Sequence, residues 1–182
     1  MDIYSSLKLC SLVLNQQEQT IKIFLANPLG FSEAGRFFLK EKFIPQIQND
    51  KIRIINPWRN FDSDEKKIQE ILKKDANEQD HELNEFNEFL GDRNESDLRS
   101  SDMVIAILDG VDVDSGTAAE IGLAYGLGKK IIGYRGDLRQ TGENNQVQIN
   151  LQVEYDIKKS GGKILNSIEQ LSEYLKNEVE HI

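Results

Sequence analysis

The spacing of apolar positions along the chain predicts short strands alternating with longer helices. Segments 21–26 (IKIFLA), 52–56 (IRIIN), 103–108 (MVIAIL), 131–134 (IIGY) and, more weakly, 163–165 (KIL) are rich in apolar and β-branched residues and have strand length. Helical patterns lie between and after them. Segment 32–48 sets Phe37, Phe38, Phe43 and Ile47 on one flank, with Pro45 expected to shorten or kink it. Segments 64–74 and 82–100 read as charged, solvated helices with an irregular stretch near Gly91, and 117–127 and 167–180 as amphipathic ones. Strands alternating with helices imply a parallel sheet covered on both faces, and an unbroken apolar strand such as MVIAIL implies a central place in it. Neither an internal repeat nor a low-complexity linker breaks the pattern, so one domain is expected over 21–182. Residues 1–20 read as an N-terminal extension, a helix or arm packing on that domain.

Where the third strand ends, the chemistry begins. MVIAIL breaks at Asp109-Gly110 into a loop carrying Asp112 and Asp114; Ser115-Gly116-Thr117 then opens a helix with Glu120 in its first turn. Open α/β sheets bind ligands just beyond the carboxyl ends of strands, which is where this loop falls. Each acid also has a structural account. Thr117-Ala-Ala-Glu120 fits a capping box, in which Thr caps the helix and Glu reaches back to the cap amide. Asp114 suits the positive end of a helix dipole, and Asp109-Gly110 suits a turn. Together they also fit glycosyl transfer with retention. One carboxylate, held ionised at a helix N-terminus, attacks the anomeric carbon while a second acidic group assists. A long loop-like segment, 136–150, and the loop after the first strand, Asn27-Pro28-Leu29-Gly30-Phe31, are further site candidates. The latter carries an aromatic and an amide suited to a planar base, although Ser32 could simply cap the next helix with Phe31 as its staple. Trp58, past the second strand, reads either as a wall of the same pocket or as a core or interface residue.

Composition narrows the choices. The net charge of −9 argues against a nucleic-acid surface and fits a cytoplasmic protein. Cys10 is the only cysteine, which excludes an internal disulfide and a cysteine-rich metal site. Of the two histidines, His81 lies in a polar stretch and His181 beside the C-terminus, leaving little for a histidine-based metal cage or triad. No run approaches the roughly 18 apolar residues of a membrane span, and the N-terminal stretch makes a poor secretory signal. Carboxylates, amides and hydroxyls are left to do the work.

Three blocks in order, IFLANPLGFSEAGR (23–36), DMVIAILDGVDVDSGTAAEIGLAYGLGKKIIGYRGDLR (102–139) and NLQVEYDIKKSGGKI (150–164), resemble the nucleoside 2-deoxyribosyltransferases. The resemblance implies a flavodoxin-like (Rossmann-like) three-layer α/β fold with a central parallel sheet of about five strands. It implies a homo-oligomeric transferase of nucleotide salvage that exchanges free purine or pyrimidine bases on 2′-deoxynucleosides through a deoxyribosyl–glutamate intermediate, with no metal or organic cofactor. Glu120 falls at the nucleophile position, and Asp114 at the aspartate that binds the sugar hydroxyls. Asp109, Gly110, Ser115 and Gly116 complete the loop. Asn150, before Leu151, matches the asparagine lent to a neighbouring subunit's site. Two departures stand out. The family's base-protonating aspartate, eight residues before the acid that opens the central strand, corresponds to Asn94, with Asp97 the nearest acid after it. An amide hydrogen-bonds a base but cannot protonate it. The first loop also reads Ala26-Asn27-Pro28 where a glycine is usual, which alters the pocket. Two rival readings remain: an N-glycosidase of 2′-deoxynucleoside 5′-monophosphates, its phosphate at Ser115 and the helix N-terminus, and a catalytically silent nucleotide-binding module.

Overall fold

The computed structural model describes residues 20–180. The expectations for the N-terminal arm, Cys10 and His181 fall outside the described residues. The strands are β1 (Ile21–Ala26), β2 (Ile52–Ile55), β3 (Met103–Ile107), β4 (Lys130–Tyr134) and β5 (Ile164–Leu165). They form one sheet in the order β2-β1-β3-β4-β5, every neighbouring pair parallel. This is the flavodoxin-like order anticipated from the sequence. All five residues of β3 are buried, as its unbroken apolar run requires.

Alternate strand residues feed two cores. Ile23, Leu25, Ile105, Ile107 and Ile132 face one side, where they meet Leu39, Phe43, Ile47, Leu171 and Leu175. Phe24, Ala26, Val104, Ala106 and Ile131 face the other and meet Leu98, Ile121, Ala124, Val153 and Ile157. On the first side lie α1 (Glu33–Phe38), α2 (Ile44–Ile47) and α7 (Ile168–Glu180); on the second, α4 (Ala76–Ser100), α5 (Ser115–Gly126) and α6 (Leu151–Lys159). The remaining helix, α3 (Phe61–Ile71), packs beside α4 and buries Ile71. Among the described residues no helix is long and apolar enough to cross a membrane.

Three expectations change. The helix expected to be shortened or kinked at Pro45 runs on to Ile47, with a local departure from α geometry just before the proline. A π-helical turn, Leu39–Phe43, joins α1 to α2, with Ile44 N–H bonded to Leu39 C=O, so the chain widens ahead of the residue whose ring opposes an α-helical bond. That turn keeps Leu39, Phe43 and Ile47 buried and leaves Phe37 exposed, contrary to its expected place on the apolar flank. The region 62–102 is two well-formed helices. α4 starts earlier than expected because Asp75 caps it, accepting from Asn77 and Glu78 N–H, and it runs straight through Gly91. Gly91 faces open space, so its missing side chain leaves no packing gap to break the helix.

Candidate active site

The sheet order creates the site. β1 and β3 are neighbours, with Ala26 beside Ala106 at their carboxyl ends. The chain leaving β1 goes to the first face, and the chain leaving β3 goes to the second, so the two loops part and leave a crevice between them.

The loop after β3 carries the acids. Gly110 takes φ +129°, a conformation side chains oppose, and turns the chain away from the sheet. Asp114 is the N-cap of α5. Its Oδ2 accepts the Thr117 N–H at 2.9 Å and the Thr117 hydroxyl at 3.2 Å. The capping-box reading is therefore corrected: the helix opens at Ser115, Asp114 caps it, and Glu120 lies in the second turn, beyond reach of the cap amide. Ser115 and Gly116 are exposed at the helix start. Glu120 is half-buried; burial first, and the neighbouring Asp114 charge second, push its carboxyl up to about 7. The expectation that the helix dipole holds this carboxylate fully ionised is therefore corrected: burial and the Asp114 charge outweigh the dipole at Glu120. A carboxylate poised near neutrality is a group suited to chemistry.

The loop after β1 is built around Asn27 and Trp58. Asn27 is buried, its Nδ2 donating to Leu25 C=O at 2.8 Å and its Oδ1 accepting Leu29 N–H at 3.1 Å. Its amide holds Pro28 and Leu29 in shape and is engaged within the loop. The Trp58 indole N–H donates to Asn27 C=O at 2.9 Å. Its ring lies where a Gly30 Cβ would stand, 1.8 Å from that position, so only glycine fits there. Phe31 meets Trp58 edge-on with centroids 4.6 Å apart and is otherwise 75% exposed, leaving an aromatic surface for a planar ring. Ser32 does cap α1, accepting Gly35 N–H at 3.0 Å.

Beyond Trp58, a cavity of about 290 Å³ opens between α3 and α4, lined by Trp58, Phe61, Ile68, Arg93 and Asn94. Asn94 Oδ1 and Arg93 Nε are buried there without a partner, while the Arg93 guanidinium grips Asp64 at 2.6 and 3.1 Å. Asp97 goes elsewhere. It is paired with Arg59 at 2.7 Å in a separate groove with Lys22 and Arg53. Of the two residues that the sequence offered for work on the base, Asp97 is thus engaged by Arg59, whereas the Asn94 oxygen, one turn earlier on α4, has no partner.

Asn150 caps α6, its Oδ1 accepting from Gln152 and Val153 N–H, and its Nδ2 donates to Glu143 at 3.3 Å. Asp109 Oδ1 accepts the Asp137 N–H at 2.9 Å. Asp137 and Arg135 were not singled out from the sequence. The available signal was a cation placed directly after the apolar run IIGY. Among the described residues, no three His, Cys, Asp or Glu side chains gather as a metal-binding group.

Residues 23–152 match the model of the family described as nucleoside 2-deoxyribosyltransferase. Solved structures share the fold at low identity. A conserved protein from Enterococcus faecalis V583 is 24% identical at TM-score 0.60, over 87% of this chain and 99% of that one. A 2-deoxyribosyltransferase from the psychrotolerant bacterium Bacillus psychrosaccharolyticus is 21% identical at TM-score 0.54, over 83% of this chain and 90% of that one. One from Leishmania mexicana is 21% identical at TM-score 0.57, over 88% and 98%. No curated protein matches the chain.

Proposed function

We propose, since the chain belongs to the nucleoside 2-deoxyribosyltransferase family, that it exchanges bases on 2′-deoxynucleosides through a covalent deoxyribosyl–Glu120 intermediate, with retention at the anomeric carbon. The observation that carries this reading is the Asp114–Glu120 pair at the crevice, with the Glu120 carboxyl raised to about 7. Glu120 therefore titrates near neutral pH, and its anion is poorly solvated and hence reactive.

In the first step a Glu120 oxygen attacks C1′ as the C1′–N bond breaks, its electron pair going to the base nitrogen. In the second, a nitrogen of the incoming base attacks C1′, its N–H proton passing to solvent, and Glu120 leaves with its electrons, inverting the centre a second time. Asp114, anchored by Thr117, is suited to hold the sugar hydroxyls. Phe31 and Trp58 offer the base a stacking surface, and Asn94 offers it an amide. Because an amide has no proton to give and Asp97 is engaged by Arg59, water is assigned as proton source for the leaving base. Asn150 is assigned to the site of a neighbouring copy in a cytoplasmic homo-oligomer. The exposed Leu138, Leu151 and Tyr155 around its loop supply apolar surface for that contact.

Ser115 and Gly116, exposed at the start of a 12-residue helix, support a second reading as a 5′-monophosphate hydrolase. Incubation with deoxyinosine plus free adenine, and separately with a deoxynucleoside monophosphate alone, separates the two. Deoxyadenosine formation supports base exchange; free base from the monophosphate without exchange supports the hydrolase; neither product contradicts both.

A further inference from the structure

Among the described residues Arg135 is the largest fully buried side chain, at 1% exposure, and it directly follows β4 beside the acidic loop. Burying a guanidinium is costly unless its donors are met, and an apolar side chain would fill the same space with less penalty. Its partners are main-chain carbonyls of two different loops. Arg135 donates to Leu108 and, at 3.3 Å, to Gly110 in the loop after β3; it donates at 2.7 Å to Arg139 in the loop after β4. A planar fork presents its donors from separate nitrogens at fixed angles, so it can span carbonyls of two loops in one set geometry, whereas a lysine's three donors all radiate from a single atom.

A second set of bonds ties the same loops. Asp109 Oδ1 accepts from Asp137 N–H at 2.9 Å, while Asp137 Oδ2 accepts from Gly110 N–H at 3.2 Å. The Arg139 side chain, bonded to Asp137, holds that carboxyl well below the usual carboxylate range, so it stays an acceptor. From behind, Asn166 Nδ2 fixes the Arg135 carbonyl at 3.0 Å. Leu108, Asp109 and Gly110 are therefore pinned on both sides just before the chain runs on to Asp114 and Glu120.

We infer that Arg135 and Asp137 are positioning residues for the carboxylate pair. The loop after β4 clamps the loop after β3 and so sets where Asp114 and Glu120 stand relative to the sugar. This rests on the assignment of those two carboxylates to base exchange.

The test compares Arg135→Lys and Asp137→Asn with the wild type in steady-state base exchange, with amide hydrogen exchange read at Gly110. Displacement of a reacting group by about 1 Å costs on the order of a hundredfold, so a partial loosening predicts kcat lowered about tenfold or more with KM nearly unchanged. Asp137→Glu, which keeps a carboxylate, restores part of that loss, and Gly110 exchanges faster in Asp137→Asn. Asp137 lies in a surface loop, so this variant carries the test even if Arg135→Lys fails to fold. Wild-type kcat in a folded Asp137→Asn protein, or unchanged exchange at Gly110, overturns the clamp. That result is distinguishable from failure of the parent reading: Glu120→Gln retaining exchange contradicts the nucleophile, whereas an inactive Glu120→Gln beside fully active clamp variants contradicts the clamp alone.

Discussion

Asp114 caps the helix from which Glu120 projects, and its charge adds to the burial that raises the Glu120 pKa. One residue thus supports its neighbour's position through a hydrogen bond and shifts its protonation through a charge. The two roles separate by substitution. Asp114→Asn keeps a good cap and removes the charge, so unfolding free energy changes by a few tenths of a kcal/mol. Asp114→Ala loses the cap and costs about 1 kcal/mol. Both variants move the Glu120 titration to lower pH, which pH–rate profiles beside denaturant unfolding measure directly.

Wild-type exchange follows from that titration. The nucleophile must be an anion, so kcat/KM climbs as pH rises through about 7 and levels above it. An ordinary glutamate would already be ionised near its usual 4.5, giving a profile flat across neutrality. A profile measured between mildly acidic and mildly alkaline buffers decides between them.

Stability carries the opposite signature. Glu120 is raised from 4.5 in the unfolded chain to about 7 in the folded one, so between those values the folded state binds more protons. Stability therefore falls as pH rises through this window, and the loss is complete above it. At 1.36 kcal/mol per pH unit, the cost approaches about 3 kcal/mol as an upper bound. Glu120→Gln removes it: the variant is predicted to be more stable than wild type at alkaline pH and nearly equal below 4.5. Urea unfolding at the two pH extremes tests this. A variant destabilised at both would show that the carboxylate serves the fold.

Gly30 and Trp58 are predicted to couple. Gly30→Ala places a Cβ 1.8 Å from the indole and forces the ring or the loop aside, costing about 1–3 kcal/mol. Combining it with Trp58→Ala removes the clash, so the double variant is more stable than the sum of the two single losses. Additivity in a double-mutant cycle would contradict direct contact.

Much of this was legible in the sequence because strands announce themselves by composition. Ile21–Ala26 was read to the residue, and MVIAIL as the central strand, since burial on both faces demands unbroken apolar runs. What escaped depends on geometry that spacing does not carry. Thr117 and Asp114 are both good caps, and only the loop's path chose Asp114. Gly91 and Pro45 look like breaks, yet an open outer surface absorbs one and a π turn the other. Asn94 and Asp97 are close in sequence but end in different cavities. Arg135 meets carbonyl groups, which leave no mark in a sequence.

The most direct measurement concerns the bond that Glu120 is assigned to form. Wild-type protein mixed with deoxyinosine, quenched in acid and examined by intact-mass and peptide mass spectrometry, should carry a deoxyribosyl group on the peptide containing Glu120. Glu120→Gln should carry none and should exchange no base. An adduct on another residue, or base exchange by Glu120→Gln at the wild-type rate, would contradict the account.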